Sequence, residues 1–350
     1  MTLDDPSRLA AVDTHGARHV LSAFGEQCRR AAALVPSPAA RLPRPRAVVV
    51  AGMGGSAAGG DLLAACAADR LDVPVLVHRG YGLPALVGTQ DLVIAASYSG
   101  ETEETLSAAA AALDRGATLV TVTSGGRLAA LAAARRLPRL ALPPDLMPRM
   151  ALGYLFLPLL AALRAADLDV VKSGEIEEAL DVVDAVAVEW RPERPTAANE
   201  AKRLAGAIGD RLPVVYGGPV TGVVAYRWKT DLEENAKVFA VSGTLPEMNH
   251  NEIEAWRRPV AAGLHLVLLR EDDEPVSMTR RFAFLREQVA AAGGGVSETR
   301  ARGTTRLARL LALAYLGQWV SYYLAVLRGV DPWVVPALQA LKTHLRDTQR

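Results

Sequence analysis

Cysteine is nearly absent from this chain: Cys28 and Cys66 are the only two in 350 residues. Neither belongs to a Cys-x-x-Cys or Cys/His spacing, which leaves no disulfide framework and no pattern for a structural metal. Both are expected as buried thiols in a reducing cytoplasm. An excess of charge is missing too. The 39 Lys and Arg balance 38 Asp and Glu, a net charge of +1, so the electrostatic footprint of a nucleic-acid or membrane binder is lacking. The longest apolar run, 150–163, is broken by Gly153 and Pro158. It is too short to cross a bilayer and reads as a buried helix. The opening Met1-Thr2-Leu3-Asp4-Asp5-Pro6 is acidic and has no apolar core, so no secretion signal is expected from it. What the chain does have is apolar mass. Half of its residues are hydrophobic, enough for one large domain or two ordinary ones.

Apolar runs of strand length alternate with Ala/Leu-rich helical runs through the first half. The clearest strands are 48–51, 75–77, 93–96 and 119–122. The segments between them are long enough for right-handed crossover helices, which implies α/β architecture with a doubly wound parallel sheet. The proline-rich piece 142–148 closes this unit. A mostly helical connector then runs into Trp190-Arg191-Pro192-Glu193-Arg194-Pro195, a linker signal. The expected division is therefore residues 1–150, a connector 151–195, and 196–350. The pattern restarts in the last part, with a strand and glycine turn at 212–218, a helix 220–237, strands near 238–241 and 265–269, and closing helices 305–327 and 336–346. The second half reads as a degenerate repeat of the first. Two such lobes facing each other would form a cleft for a small molecule.

One turn is more informative than the rest. Ser97-Tyr98-Ser99-Gly100-Glu101-Thr102-Glu103-Glu104-Thr105 lies between an apolar strand and an alanine-rich helix. Three hydroxyls and a glycine on a strand-to-helix turn bring free N–H groups and the positive helix end to one spot. Without a lysine this is no nucleotide P-loop, and a small phosphate monoester fits better. A second turn, Gly52-Met53-Gly54-Gly55-Ser56, follows the first strand. There Gly54 and Gly55 let the backbone approach an anion, and Ser56 adds a hydroxyl. This turn also satisfies a dinucleotide pattern, but the next strand ends in His78-Arg79-Gly80 and lacks the acid that would hold a ribose. An NADP site using Arg79 stays open on this turn alone.

A phosphate holder needs an acid/base set to be an enzyme. Asp231-Leu232-Glu233-Glu234-Asn235-Ala236-Lys237 ends a helix, where acids oppose the dipole unless something compensates. Pro246-Glu247-Met248-Asn249-His250-Asn251-Glu252 reads as a loop with fixed side-chain hydrogen bonds. By themselves these segments are equally readable as a solvated helix end and a surface histidine. Lys342 and Arg149 are equally readable as an exposed lysine and a loop cap.

Taken together, these segments resemble the SIS (sugar isomerase) proteins, and among them the bacterial and archaeal bifunctional phosphoglucose/phosphomannose isomerases. The resemblance runs nearly end to end. It rests on the two turns, Pro148-Arg149-x-Ala151-Leu152-Gly153-Tyr154, Glu234-Asn235-Ala236-Lys237, His250-Asn251-Glu252, Asp331-Pro332 and Leu341-Lys342. It implies two flavodoxin-like SIS domains and metal-independent, cofactor-free interconversion of glucose or mannose 6-phosphate with fructose 6-phosphate. Ser56, Ser97, Ser99 and Thr102 would hold the phosphate. Glu234 would move the proton, His250 would open the sugar ring from the partner subunit of a homodimer, and Arg149 and Lys342 would assist. A silent sugar-phosphate sensor and another SIS isomerase are the alternatives. Two positions depart from the family pattern: Glu233, usually Asn, and the bulky Trp333, usually small.

Overall fold

Strands Val48–Ala51 (β1) and Leu92–Ala96 (β3) are buried along their whole length, so helices cover both faces of their sheet. The computed structural model describes residues 3–347, which divide into two units. The first unit is Ala23–Ala185 with Ala301–Leu313. Besides β1 and β3 it contains β2 (Val75–His78), β4 (Thr118–Thr123) and β5 (Arg139–Ala141), all parallel, in the order β2-β1-β3-β4-β5. That is the flavodoxin-like order, which places a topological switch point between β1 and β3. Alanines 108, 109 and 112, on the buried face of helix Glu103–Asp114, pack on Val49, Val93 and Leu119.

The second unit is Met1–Ser22, Val186–Arg300 and Ala314–Arg350. Its sheet has β6 (Leu212–Gly217), β7 (Val241–Thr244), β8 (Leu264–Arg270) and β9 (Gly295–Arg300) in the order β7-β6-β8-β9. This is the same winding without a fifth strand, as expected of a degenerate repeat. Its core gathers much of the chain's scarce aromatic content: Trp190, Tyr315, Trp319, Tyr322 and Tyr323 are all buried and touch ring to ring. Helix Arg306–Arg328 has the length and apolarity to cross a bilayer, but its most apolar 18 residues are 94% buried, the signature of a core helix.

The structure differs from the sequence expectation at several strands. The strand expected near 238–241 starts only at Val241, because Lys237 ends the preceding helix in a left-handed conformation (φ 55°) and redirects the chain. β5 and β9 carried no apolar run: one is three residues long, the other reads Gly-Val-Ser-Glu-Thr-Arg, and both are sheet edges. The loop expected at 246–252 contains 3-10 turns Glu247–His250 and Glu252–Ala255.

A buried titratable group lies on β8. His265 is 3% exposed, with Nε2 2.9 Å from Ser297 Oγ and Nδ1 unpartnered. Burial, then the nearby Arg211 charge, push its pKa down to about 4 from 6.5. The unfolded chain therefore takes up this proton first. Above pH 6.5 the group is neutral in both states and adds no pH dependence, and stability falls as pH drops from about 6.5 to about 4, by up to about 3 kcal/mol. Urea unfolding of wild type and His265→Gln between pH 7 and 4.5 checks this. The variant, which cannot titrate there, should lose less stability on acidification, and parallel curves would refute the assignment.

Candidate functional site

At the first unit's switch point the β1 and β3 turns meet. Ser56 Oγ accepts from the Tyr98 N–H at 3.2 Å, joining the two turns. Ser97, fully buried, accepts from the Gly100 N–H and donates to Thr102 Oγ1 at 2.9 Å. Ser99 is exposed and accepts from the Glu101 N–H. Ser56, Ser99 and Thr102 thus each accept one bond, and no acceptor among the described residues takes their own protons. Three hydroxyl donors stand together with the N-termini of helices Gly54–Ala67 and Glu103–Asp114. The backbone here is demanding. Gly100 has φ 71°, and a Cβ on it would lie 1.9 Å from the Gly125 carbonyl. Gly54, at φ 50°, faces open space.

The surroundings hold this geometry. Tyr98 Oη donates to the Pro143 carbonyl at 2.6 Å and accepts from the Leu146 N–H, pinning the proline-rich segment to the serine turn; burial raises its pKa. Ser124 bonds the Tyr98 carbonyl, and Arg127 pairs with Glu101 at 2.8 Å, so the turn after β4 braces the one after β3. Arg149 is 3% exposed on the 3-10 turn Pro148–Met150. A side chain at Gly55 would lie 2.7 Å from the Pro148 carbonyl, so the segment bearing Arg149 rests directly on the first glycine turn. The structure therefore brings Gly54, Gly55, Ser56, Ser97, Ser99, Thr102 and Arg149 to one end of one sheet.

The acid/base candidates belong to the second unit. Glu234 is half-buried in the last turn of helix Gly222–Ala236. Its neighbours fix that turn. Asn235 Nδ2, buried, donates to Ser321 Oγ at 2.9 Å. Lys237 Nζ donates to the carbonyls of Glu234 and Asn235 at 3.0 and 3.1 Å, supplying the positive charge the helix end needs. Glu233 is paired with Lys229 at 2.7 Å.

His250 stands beyond β7, exposed and without a hydrogen-bond partner among the described residues. Its loop is anchored on either side. Met248 is buried, Arg281 donates to Asn249 Oδ1, and Tyr216 Oη donates to Glu252. Burial and that carboxylate raise the Tyr216 pKa. Lys342 is exposed on helix Pro336–Asp347.

In the second unit the equivalent glycine turn is closed. Thr221 Oγ1 accepts from the Gly218 N–H at 2.8 Å and donates to the Leu269 carbonyl at 2.9 Å. Sequence reasoning missed this, and also the anchoring roles of Tyr98 and Lys237. Lys237 was visible in the Glu-Asn-Ala-Lys motif, but its cap depends on a left-handed backbone that no local pattern announces.

A family model described as the bacterial phospho-glucose isomerase C-terminal SIS domain matches residues 197–345, and an SIS domain model matches residues 42–134. The bifunctional phosphoglucose/phosphomannose isomerase of Caldicellulosiruptor bescii is 38% identical over 303 residues, 86% of this chain and 89% of the relative. The protein of that name from Thermoplasma acidophilum is 33% identical over 299 residues, 85% and 89% of the two chains. Among solved structures, a glucose-6-phosphate isomerase like protein from Thermus thermophilus matches with TM-score 0.65 at 23% identity. The match covers 97% of this chain and 98% of the other and is a likeness of fold.

Proposed function

This chain belongs to the bifunctional phosphoglucose/phosphomannose isomerase family, and from that premise we propose that it interconverts glucose or mannose 6-phosphate with fructose 6-phosphate through an enediolate. The observation that carries the reading is the set of three undelivered hydroxyl protons, on Ser56, Ser99 and Thr102, at one switch point. A phosphate offers only acceptors, so it is the complement of that set. Ser97 aims Thr102, and the amides of Gly54 and Gly55 complete the cradle.

The remaining roles follow from what aldose–ketose isomerisation requires. One base must remove the C2 proton and return it to C1, and Glu234 is that base. A separate group must move protons between the ring oxygen and the C1 hydroxyl. We assign it to His250 of the partner subunit in a homodimer, the arrangement the family resemblance implies; the imidazole here is exposed on an anchored loop. Arg149 offsets the enediolate charge, and Lys342 holds a sugar hydroxyl or assists ring opening. Free buried thiols at Cys28 and Cys66 fit a cytoplasmic enzyme.

A coupled assay with both aldose phosphates, in the presence of a chelator, tests the activity. Fructose 6-phosphate should form from at least one of them. Binding without turnover would make the protein a sensor, and turnover of aminosugar phosphates alone would make it another isomerase. In the same assay, Ser99→Ala with Thr102→Ala should raise KM about tenfold to a hundredfold for each hydroxyl removed, at about 1.5–3 kcal/mol per charge-assisted bond. The melting temperature should fall modestly, because Thr102 and Ser99 accept from the Ser97 hydroxyl and the Glu101 N–H and their loss leaves those two donors unpaired. A turn that does not bind phosphate would show the same melting shift with KM unchanged. Unchanged KM would place the phosphate elsewhere.

A further inference from the structure

Lys237 does more than cap the helix of Glu234. Its Nζ also donates to the Asp331 carbonyl at 2.6 Å. The Asp331 carboxylate accepts from Thr14 Oγ1 at 2.6 Å, His15 Nδ1 at 2.8 Å and the Trp333 N–H at 2.7 Å. A carboxylate only accepts, so Nδ1 carries the proton. The Trp333 ring lies within 9° of parallel to the His15 ring, with 6.3 Å between centroids. The Asp331 side chain is 16% exposed, and the His15 ring that meets it is 49% exposed. Burial alone would raise its pKa, but the donors from Thr14, Trp333 and His15 outweigh that and hold it below the usual carboxylate value.

The contacts form one chain: His15 to Asp331, Asp331 to Lys237, Lys237 to the last turn of the helix that carries Glu234. Helix ends fray because their last carbonyls lack intrahelical partners. Here Lys237 sits at φ 55°, an uncommon conformation for a lysine, and its ammonium bridges two of those carbonyls to the Asp331 loop. We propose that His15 is a positioning residue for Glu234, acting through Asp331 and Lys237 to hold the end of helix Gly222–Ala236 in register. The proposal rests on Glu234 being the catalytic base. Misplacing a reacting group by about 1 Å can cost about a hundredfold in rate, so a loosened helix end should be felt in turnover before binding.

The test compares His15→Ala with His15→Asn, whose amide can donate from near the Nδ1 position. His15→Ala should lower kcat about tenfold to a hundredfold with KM little changed, and His15→Asn should recover most of that loss. Hydrogen exchange at the amides of residues 234–237 should speed up in His15→Ala and not in His15→Asn. Should His15→Ala fail to fold, Thr14→Val removes one donor to Asp331 and should show the same changes at smaller amplitude. Wild-type kcat in His15→Ala, or unchanged exchange, overturns the proposal. Glu234→Gln assayed alongside separates the two readings. If it stays active, the base assignment falls and the catalytic consequence with it; if it is inert while His15→Ala is unimpaired, only the positioning claim falls.

Discussion

Glu234→Gln should abolish isomerisation, with kcat falling by a factor of about 10⁴, while sugar-phosphate binding stays close to wild type. Glutamine keeps the volume of the side chain but cannot accept the C2 proton. The helix end should survive the change, because Lys237 binds the Glu234 carbonyl and Asn235 binds Ser321; neither bond uses the Glu234 carboxylate. The turns proposed to hold the phosphate belong to the other unit. Calorimetric titration with substrate, run beside the coupled assay, checks both halves of this expectation. Turnover by the variant would remove Glu234 from the mechanism. Loss of wild-type activity on chelation, restored by zinc, would replace proton shuttling by a metal-assisted route.

Refolding Glu234→Gln together with His250→Ala should restore activity that neither variant has alone. In a two-fold dimer whose sites each combine Glu234 of one protomer with His250 of the partner subunit, a mixed dimer has one site with both defects and one with neither. Random reassortment of equal amounts makes about half of the dimers mixed, which predicts about a quarter of wild-type activity. Absence of recovery, with subunit exchange demonstrated and both parents inactive, would assign the two residues to the same chain's site or remove the histidine from catalysis. The anchored His250 loop makes the experiment clean, since Met248, Asn249 and Glu252 hold it without help from the imidazole.

Sequence pattern was sufficient where burial on both faces imposed it. β1 and β3 are covered throughout, and their unbroken apolar runs said so. The edge strands β5 and β9, half-open to solvent, carry polar residues that no periodicity distinguishes from loop. The serine turn was readable because glycine and hydroxyls at a strand end have few other uses, and its partner turn because Gly54 and Gly55 immediately precede Ser56. Which hydroxyl gives its proton to which was not readable, since Ser97 and Thr102 are distinguished only by their orientation in three dimensions. The support of Glu234 was hidden for another reason. Asn235 meets Ser321 from 86 residues away, and His15 meets Asp331 across 316, with no pattern linking either pair.

The closed glycine turn of the second unit bears on how the two halves differ. Thr221 satisfies the Gly218 amide and the Leu269 carbonyl at once, with 1% of its surface exposed, so it behaves as a covalently attached occupant of its own turn. A single threonine hydroxyl thus occupies the turn that stays open in the first unit. With the phosphate held at the β1 and β3 turns as proposed, the expected stoichiometry is one sugar phosphate per chain, although the winding occurs twice.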